Sequence, residues 1–304
     1  MDAHHKIYTE YYYSSYIVFS KYYKKLNKYI LRMSIHKYRK YKKKYCELNR
    51  YHKFAINMET GINSLMNSDR SFVFVDTDID ESDTKSLDTL FSRENVTNKT
   101  FNYYGIFDSR IKNEMDTFLG QITDDSKKIA QIINKVANGY TYATKKNYIW
   151  LTIRIQHPQD DYDIPRWHTD GYFYNSLEYS QKNLSQIKLA GILTGPLTLF
   201  KTDDQKMFLK YQQLWDNLYK TKECYQKDME NRKIIDSELK DYETVTPKKG
   251  QVAIFKVGLN GAMHSEPKID TNRLFYSILS GTKEEIKDLA TRRGIMTFHD
   301  ENSP

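Results

Sequence analysis

An α+β domain centred on a mostly antiparallel sheet or barrel is what this sequence predicts. Three observations carry the prediction. Helical spacing of apolar residues dominates ahead of Asn147, and a period of two dominates after it. Turn signals containing Gly and Pro separate the later segments. A single charged, helix-prone stretch, residues 201–246, interrupts them.

In chain order, "SFVFVDTDI" from Ser71 is a short strand, and "DESDTKSLDTLFSR" starts like a capped helix, with acids and hydroxyls ahead of an apolar repeat. "SRIKNEMDTFLGQI" and "SKKIAQIINKVANGY" both have helical spacing. In the second, Ile129, Ile132, Ile133 and Val136 make an i, i+3, i+4, i+7 stripe, with Gly139 as its expected C-terminal stop. "NYIWLTIRIQH" then alternates: Ile149, Leu151, Ile153 and Ile155 on one face, Trp150, Thr152, Arg154 and Gln156 on the other. Further strand segments are "RWHTDGYFY", "IKLAGILTGPLTLF" (broken at Gly195-Pro196), "QVAIFKVG" after the turn "TPKKG", "AMHSEP" and "RLFYSILSG". "TKEEIKDLATRRG" closes the chain as a helix.

The net charge of +8 is concentrated at one end. Residues 1–53 carry fourteen Lys/Arg against Asp2, Glu10 and Glu47, a net of +11 that leaves −3 on the other 251 residues. Residues 1–57 therefore form a basic Tyr/Lys-rich segment ahead of a 58–304 domain. Lysines that neutralise phosphates and tyrosines that stack on bases suit nucleic acid. An anionic membrane surface suits the same residues. Compositional bias explains them too, since Tyr, Lys, Asn and Ile are over-used along the whole chain, and Met33 and Met58 are alternative starts. No apolar run approaches the ~20 residues that span a bilayer. The N-terminus lacks the apolar core of a signal peptide, and Cys46 and Cys224 are too few for a disulfide framework. An intracellular, cytoplasmic protein is the expectation.

Chemistry enters at "PRWHTDG", residues 165–171, where His168 and Asp170 sit two apart and share a strand face. A metal site needs a third ligand. Two histidines and one carboxylate on one face of an ion are the donor set of non-haem Fe(II) oxygenases. His264, in "GLNGAMHSEP", is the candidate second histidine, and Arg273 follows it by nine residues at the start of "RLFYSIL".

In this order and context, "HTD", His264 and Arg273 resemble the pattern of the Fe(II)/2-oxoglutarate-dependent dioxygenase superfamily. "TPKKGQVAIFKV" is similar to the Gly turn and apolar strand that precede that family's distal histidine. Together "PRWHTD", "LTGPLTLF", "GQVAIF", "HSEP" and "RLFYSIL" resemble a little-characterised branch, and the resemblance spans about 148–281. It implies a double-stranded β-helix (a jelly-roll or cupin-like core) with supporting helices on one side. It implies iron held by His168, Asp170 and His264. It also implies 2-oxoglutarate paired through Arg273, whose guanidinium fork suits a carboxylate, and hydroxylation or demethylation of a substrate with O2, releasing succinate and CO2.

Beyond that pattern, Thr152 and Arg154 either reach inside the barrel towards the keto acid or lie on a wet face, and Ser277, on Arg273's strand face, is a candidate to assist it in holding the keto acid. Some branches carry an Arg or Ser near the 2-oxoglutarate arginine where this chain has Phe275 and Leu279. Arg166, in phase with His168, reads as an outward charge or a contact to an acidic substrate, while Trp167 and Tyr172 read as packing. "DDYD" at 160–163 is a solvated loop without calcium-loop spacing. The 201–246 insertion is a lid, a partner surface or an exposed helix pair. Two rival functions remain: a non-catalytic barrel recruited to nucleic acid or another acidic partner by residues 1–57, and a cupin-like metalloenzyme that does not use 2-oxoglutarate.

Overall fold

In the computed structural model, which describes residues 35–78, 98–182, 184–220 and 227–301, one-sided burial accounts for both periodicities. Residues 1–52 and 53–304 form two compact units. Helix α1 (Ile35–Met66) runs through the boundary expected after residue 57. Its Phe54, Met58, Ile62 and Leu65, at i, i+4, i+8 and i+11, are buried in the main core. The helix expected from "DESDTKSLDTLFSR" lies outside the described residues, as does most of the basic N-terminal segment.

Strands β1 (Phe72–Asp76), β2 (Lys99–Ile106), β3 (Tyr148–Gln156), β4 (Gln186–Thr194), β7 (Gln251–Val257) and β9 (Arg273–Gly281) make a six-stranded sheet in the order β1-β7-β4-β9-β3-β2. Every pairing in it is antiparallel. Its outer face carries Ile149, Leu151, Ile153 and Ile155 with Leu189, Ile254 and Ile278. These pack on α1, α2 (Ser109–Gly120) and α3 (Ser126–Thr144). The inner face carries Phe72, Phe74, Ala190, Ala253, Phe255 and Phe275. Across from it lies a second antiparallel sheet, β6-β5-β8 (Thr244–Val245, Leu199–Lys201, His264–Ser265), whose Phe200 and Val245 join the same cluster. The architecture is thus a mixed helix and antiparallel-sheet fold with helices on one side of the larger sheet.

Several expectations are corrected. Gly139 does not stop α3, which runs on to Thr144 and ends at Lys145 in the left-handed region (φ 56). Gly139 is instead a contact: a Cβ there would lie 2.4 Å from the Phe54 ring of α1. Residues 166–174 are not a strand beyond a single bridge, His168 to His264. Past that bridge the Asp170 carbonyl accepts from the Gly258 amide (2.8 Å), so the chain bonds to the loop after β7 instead of following β8. Strand β2 was not expected. Phe101 and Tyr103 face one way and Tyr104 and Ile106 the other, so no polar–apolar period marks it.

The insertion holds α5 (Gln205–Leu218) and α6 (Asp228–Leu239), preceded in the chain by the short α4 (Ser176–Gln181). It is not a detached helix pair. Met207, Tyr211, Ile235 and Leu239 are buried with Trp167 and Met263. The terminal helix α7 (Lys283–Arg292) starts with a capping box formed by Thr282 and Glu285. Among the described residues, no helix is long and apolar enough to cross a membrane.

Candidate metal centre

The antiparallel bridge between His168 and His264 fixes the site: each backbone N–H donates to the other's carbonyl, at 3.0 and 2.9 Å. The two rings stand 4.3 Å apart. Asp170 closes the triangle, with Oδ1 3.9 Å from His168 Nε2 and Oδ2 4.0 Å from His264 Nε2. One ligand atom from each of the three residues falls within 4.8 Å of the others.

The donor chemistry fits a divalent metal. His168 Nδ1 lies 2.7 Å from the Arg166 carbonyl and His264 Nδ1 lies 3.0 Å from the Ala262 carbonyl. Those contacts put the proton on Nδ1 in each ring, an assignment from hydrogen bonding, and leave both Nε2 lone pairs facing the centre. Burial, then the neighbouring His264, pushes the His168 value down to about 4, so the ring is neutral at pH 7. For Asp170 burial opposes ionisation, yet Lys188 and the two imidazoles outweigh it and hold the carboxyl well below the usual range. Phe200 and Phe255 pack against the His264 ring at 5.8 and 5.0 Å between centroids.

Lys188, which the sequence reading passed over, is the nearest cation. From β4 its Nζ donates to Asp170 Oδ2 at 2.8 Å, with side-chain exposures of 13% and 18%. Three rings box the ammonium: Phe173 at 4.9 Å, Trp150 at 5.6 Å and Phe255 at 5.9 Å. The available signal was a lysine in phase with Ala190 and Ile192 inside an otherwise apolar strand. Glu266, also passed over, shares His264's phase and pairs with Arg166 at 3.0 Å. Arg166 is therefore not simply an outward charge; it turns beside His168 to meet that carboxylate.

Arg273 is only 2% exposed. Its Nε donates to the Pro196 carbonyl (2.9 Å), Nη1 to Gln156 Oε1 (2.8 Å) and Nη2 to Thr198 Oγ1 (3.0 Å). All three acceptors are neutral, and no carboxylate among the described residues makes an ion pair with it. Burial accordingly lowers its value to about 10. Gln156 and Thr198 are the partners that the sequence reading missed.

Thr152 is buried, and its hydroxyl donates to Asn102 Oδ1 at 2.9 Å, an oxygen shared with Trp150 Nε1 at 3.1 Å. The inner face here is thus enclosed and hydrogen-bonded, not wet. Ser277 is buried directly opposite Thr152 in the β3–β9 register. Arg154 is exposed, with its guanidinium 5.7 Å from the Phe275 ring centroid. Trp167 packs as expected and donates from Nε1 to Asp236 at 2.8 Å. Tyr172 packs on Gly258, whose φ of +92 and missing Cβ admit the ring.

No family model and no curated protein matches the chain. Among solved structures, a Pseudomonas putida prolyl-4-hydroxylase is 8% identical, covering 74% of this chain and 98% of its own, with a TM-score of 0.38. A prolyl hydroxylase in complex with a hypoxia-inducible-factor peptide fragment, from Trichoplax adhaerens, is 7% identical over 80% of this chain and 96% of its own, at 0.36. An N-substituted L-amino acid dioxygenase from Burkholderia ambifaria is 11% identical over 75% and 89%, at 0.35. Likeness at this level carries no argument about chemistry, which rests on the site's own geometry.

Proposed function

We propose that this chain is an Fe(II)- and 2-oxoglutarate-dependent dioxygenase on a double-stranded β-helix. The observation that carries the reading is the convergence of His168 Nε2, Asp170 and His264 Nε2, with both histidines oriented through Nδ1. Two imidazoles and one carboxylate are a facial set that leaves positions open on the ion.

Bound there, iron and 2-oxoglutarate would supply the oxidation: substrate C–H, 2-oxoglutarate and O2 become hydroxylated substrate, succinate and CO2. The chain's own residues hold and orient. Asp170 offers one oxygen to the metal while Lys188 holds the other. Arg273, a buried cation without an ion pair among the described residues, offers its charge to the remote carboxylate of the keto acid, with Gln156 and Thr198 fixing the plane of the fork. A buried cation held by neutral acceptors favours the keto-acid reading over a metal-only cupin, which has no use for a carboxylate clamp. Ser277 and Thr152, opposite each other in the β3–β9 register, would lie beneath the keto acid. Phe200 and Phe255 exclude water from the His264 side. Removal of a methyl group follows from the same hydroxylation when the C–H belongs to an N-methyl group.

The test is an anaerobic titration with Fe(II) and then 2-oxoglutarate. A weak visible charge-transfer band that is absent in His264→Ala and weakened in Arg273→Ala is expected. No band, with metal loading confirmed, rejects the reading in favour of a binding module.

A further inference from the structure

Glu266 is a buried carboxylate beside the metal centre to which the function proposed above gives no task. The strand registers fix its place. His168 and His264 face each other in an antiparallel bridge, so Arg166 and Glu266, two residues beyond it on either strand, face each other as well. They pair at 3.0 Å. On the other side of β8, Phe200 pairs with His264 and Leu199 with Ser265, which sets Thr198 beside Glu266 one step on. Two rows thus cross the smaller sheet. One holds His168, His264 and Phe200; the next, about 7 Å along the strands, holds Arg166, Glu266 and Thr198. Thr198 is the residue that accepts from Arg273 Nη2 at 3.0 Å. Glu266 therefore shares the row that holds the clamp. Among the charges around Arg273 it acts most strongly, favouring the protonated guanidinium against burial.

Arg166 does not cancel that charge. Their contact is a single one, Nη2 to Oε1, and Glu266 Oε2 is buried without a hydrogen-bond partner. Arg166 also lines a cavity of about 320 Å³ beside His168, whose other wall is Trp215, Tyr219 and Arg232 of the insertion. Its side chain is 42% exposed, against 13% for Glu266, so solvent screens the cation more than the anion. Net negative charge is left beside the clamp. In the empty site that charge supports a buried guanidinium that has no ion pair. Once a keto acid sets its remote carboxylate on Arg273, the same charge opposes it.

We propose that Glu266 sets the affinity of the clamp: it holds keto-acid binding below what Arg273 alone would give, and Arg166 limits that loss by pairing with it. Neither side chain touches the keto acid; both act through the charge around Arg273. Placing a keto acid there rests on the function proposed above.

The experiment is calorimetry of 2-oxoglutarate on the full chain saturated with Mn(II). Glu266→Gln should bind it about tenfold more tightly than the parent, the scale of one unit charge removed from a partly buried site. Glu266→Met removes the charge without a hydrogen-bonding replacement; it should gain similarly, and it guards against a folding defect in the glutamine variant. Arg166→Gln should weaken binding by about tenfold and Arg166→Lys by less than about threefold. Arg166→Gln combined with Glu266→Gln should recover at least the parent's affinity. 2-Oxobutyrate, which lacks the remote carboxylate, should gain less than about threefold from Glu266→Gln.

Parent-like or weaker binding in both Glu266 variants overturns the proposal, as does an Arg166→Gln loss that Glu266→Gln fails to restore. An equal gain for 2-oxobutyrate overturns it too, because the charge would then act at the metal end. Binding that needs Arg273 yet ignores Glu266 rejects this proposal alone. A metal-loaded parent that takes up no 2-oxoglutarate rejects the keto-acid reading and this proposal together.

Discussion

Lys188 Nζ and Asp170 Oδ2 lie 2.8 Å apart, so a candidate metal ligand already has a cation in contact with it. The pair sets two effects against each other. A hydrogen-bonded partner orients a ligating carboxylate, and losing one typically costs 10–100-fold in metal affinity, or about 1.4–2.7 kcal/mol. An ammonium hydrogen-bonded to a ligating carboxylate would also repel a divalent ion held there, by several kcal/mol at an effective dielectric of about 20. Repulsion is the larger effect. Lys188→Met should therefore bind Mn(II) about tenfold or more tightly by calorimetry. The same variant should destabilise the metal-free protein by about 3 kcal/mol, because it leaves a buried carboxylate unpaired. Lys188→Arg, which keeps the charge, should change metal affinity much less. Weaker binding in Lys188→Met would mean that orientation, not charge, dominates.

Arg273 should affect the keto acid and spare the metal. Arg273→Ala is expected to weaken 2-oxoglutarate by about 100-fold, the scale of a lost bidentate charged contact, with Mn(II) affinity within about threefold of the parent. Arg273→Lys should recover little, because a point charge cannot replace a fork held by Gln156 and Thr198. Equal losses for metal and keto acid would place Arg273 in the scaffold instead.

His168 gives the metal-free protein an acid-sensitive stability. Its folded value of about 4 lies below the ordinary 6.5, so between these the unfolded chain binds more protons. The contribution is complete above about pH 6.5 and is lost as pH falls towards 4, by about 2–3 kcal/mol. Denaturant melts across that window should show the loss in the parent and a flatter profile in His168→Gln. An unchanged slope would mean that other groups set the acid sensitivity.

Gly139 and Phe54 form a helix-to-helix contact with a clear sign. Alanine is the better helix former by about 1 kcal/mol, but its Cβ would meet a ring 2.4 Å away that is fully buried. Gly139→Ala should thus destabilise by about 1–3 kcal/mol. A chain begun at Met58 should lose more, about 3–5 kcal/mol, because it removes the Phe54 side chain from the core. A chain begun at Lys53 keeps that side chain. Thermal melts of the three variants test both statements.

What could be read in advance depended on how local the cause was. Strands β3, β7 and β9 were legible because burial on one or both faces stamps a pattern on contiguous residues. His168, Asp170 and His264 were legible because few residue types ligate metals and their order is distinctive, although only the bridge between residues 168 and 264 brings them together. Lys188 was hidden. A lysine between Ile187 and Leu189 looks like the wet half of an alternation, and its carboxylate lies eighteen positions upstream in a loop. The core role of α1 was hidden for a different reason: Tyr and Lys crowd the helix as far as Lys53, and a boundary drawn after residue 57 cut through the buried positions that follow, Phe54 to Leu65.

Trp167 precedes His168 in the chain, and its indole is tethered at Asp236 of α6, with Lys201 Nζ 4.7 Å from the ring centroid. Lys201 in turn donates to the carbonyls of Leu239, at the far end of the same helix, and of Tyr242 just beyond it. The insertion is therefore a strut as well as a wall. Surface excursions of this length are usually cheap to shorten, but cutting this one back would release the indole and, with it, the backbone that aims a ligand. Variation that reshapes the cavity is confined to side chains that leave the tether standing.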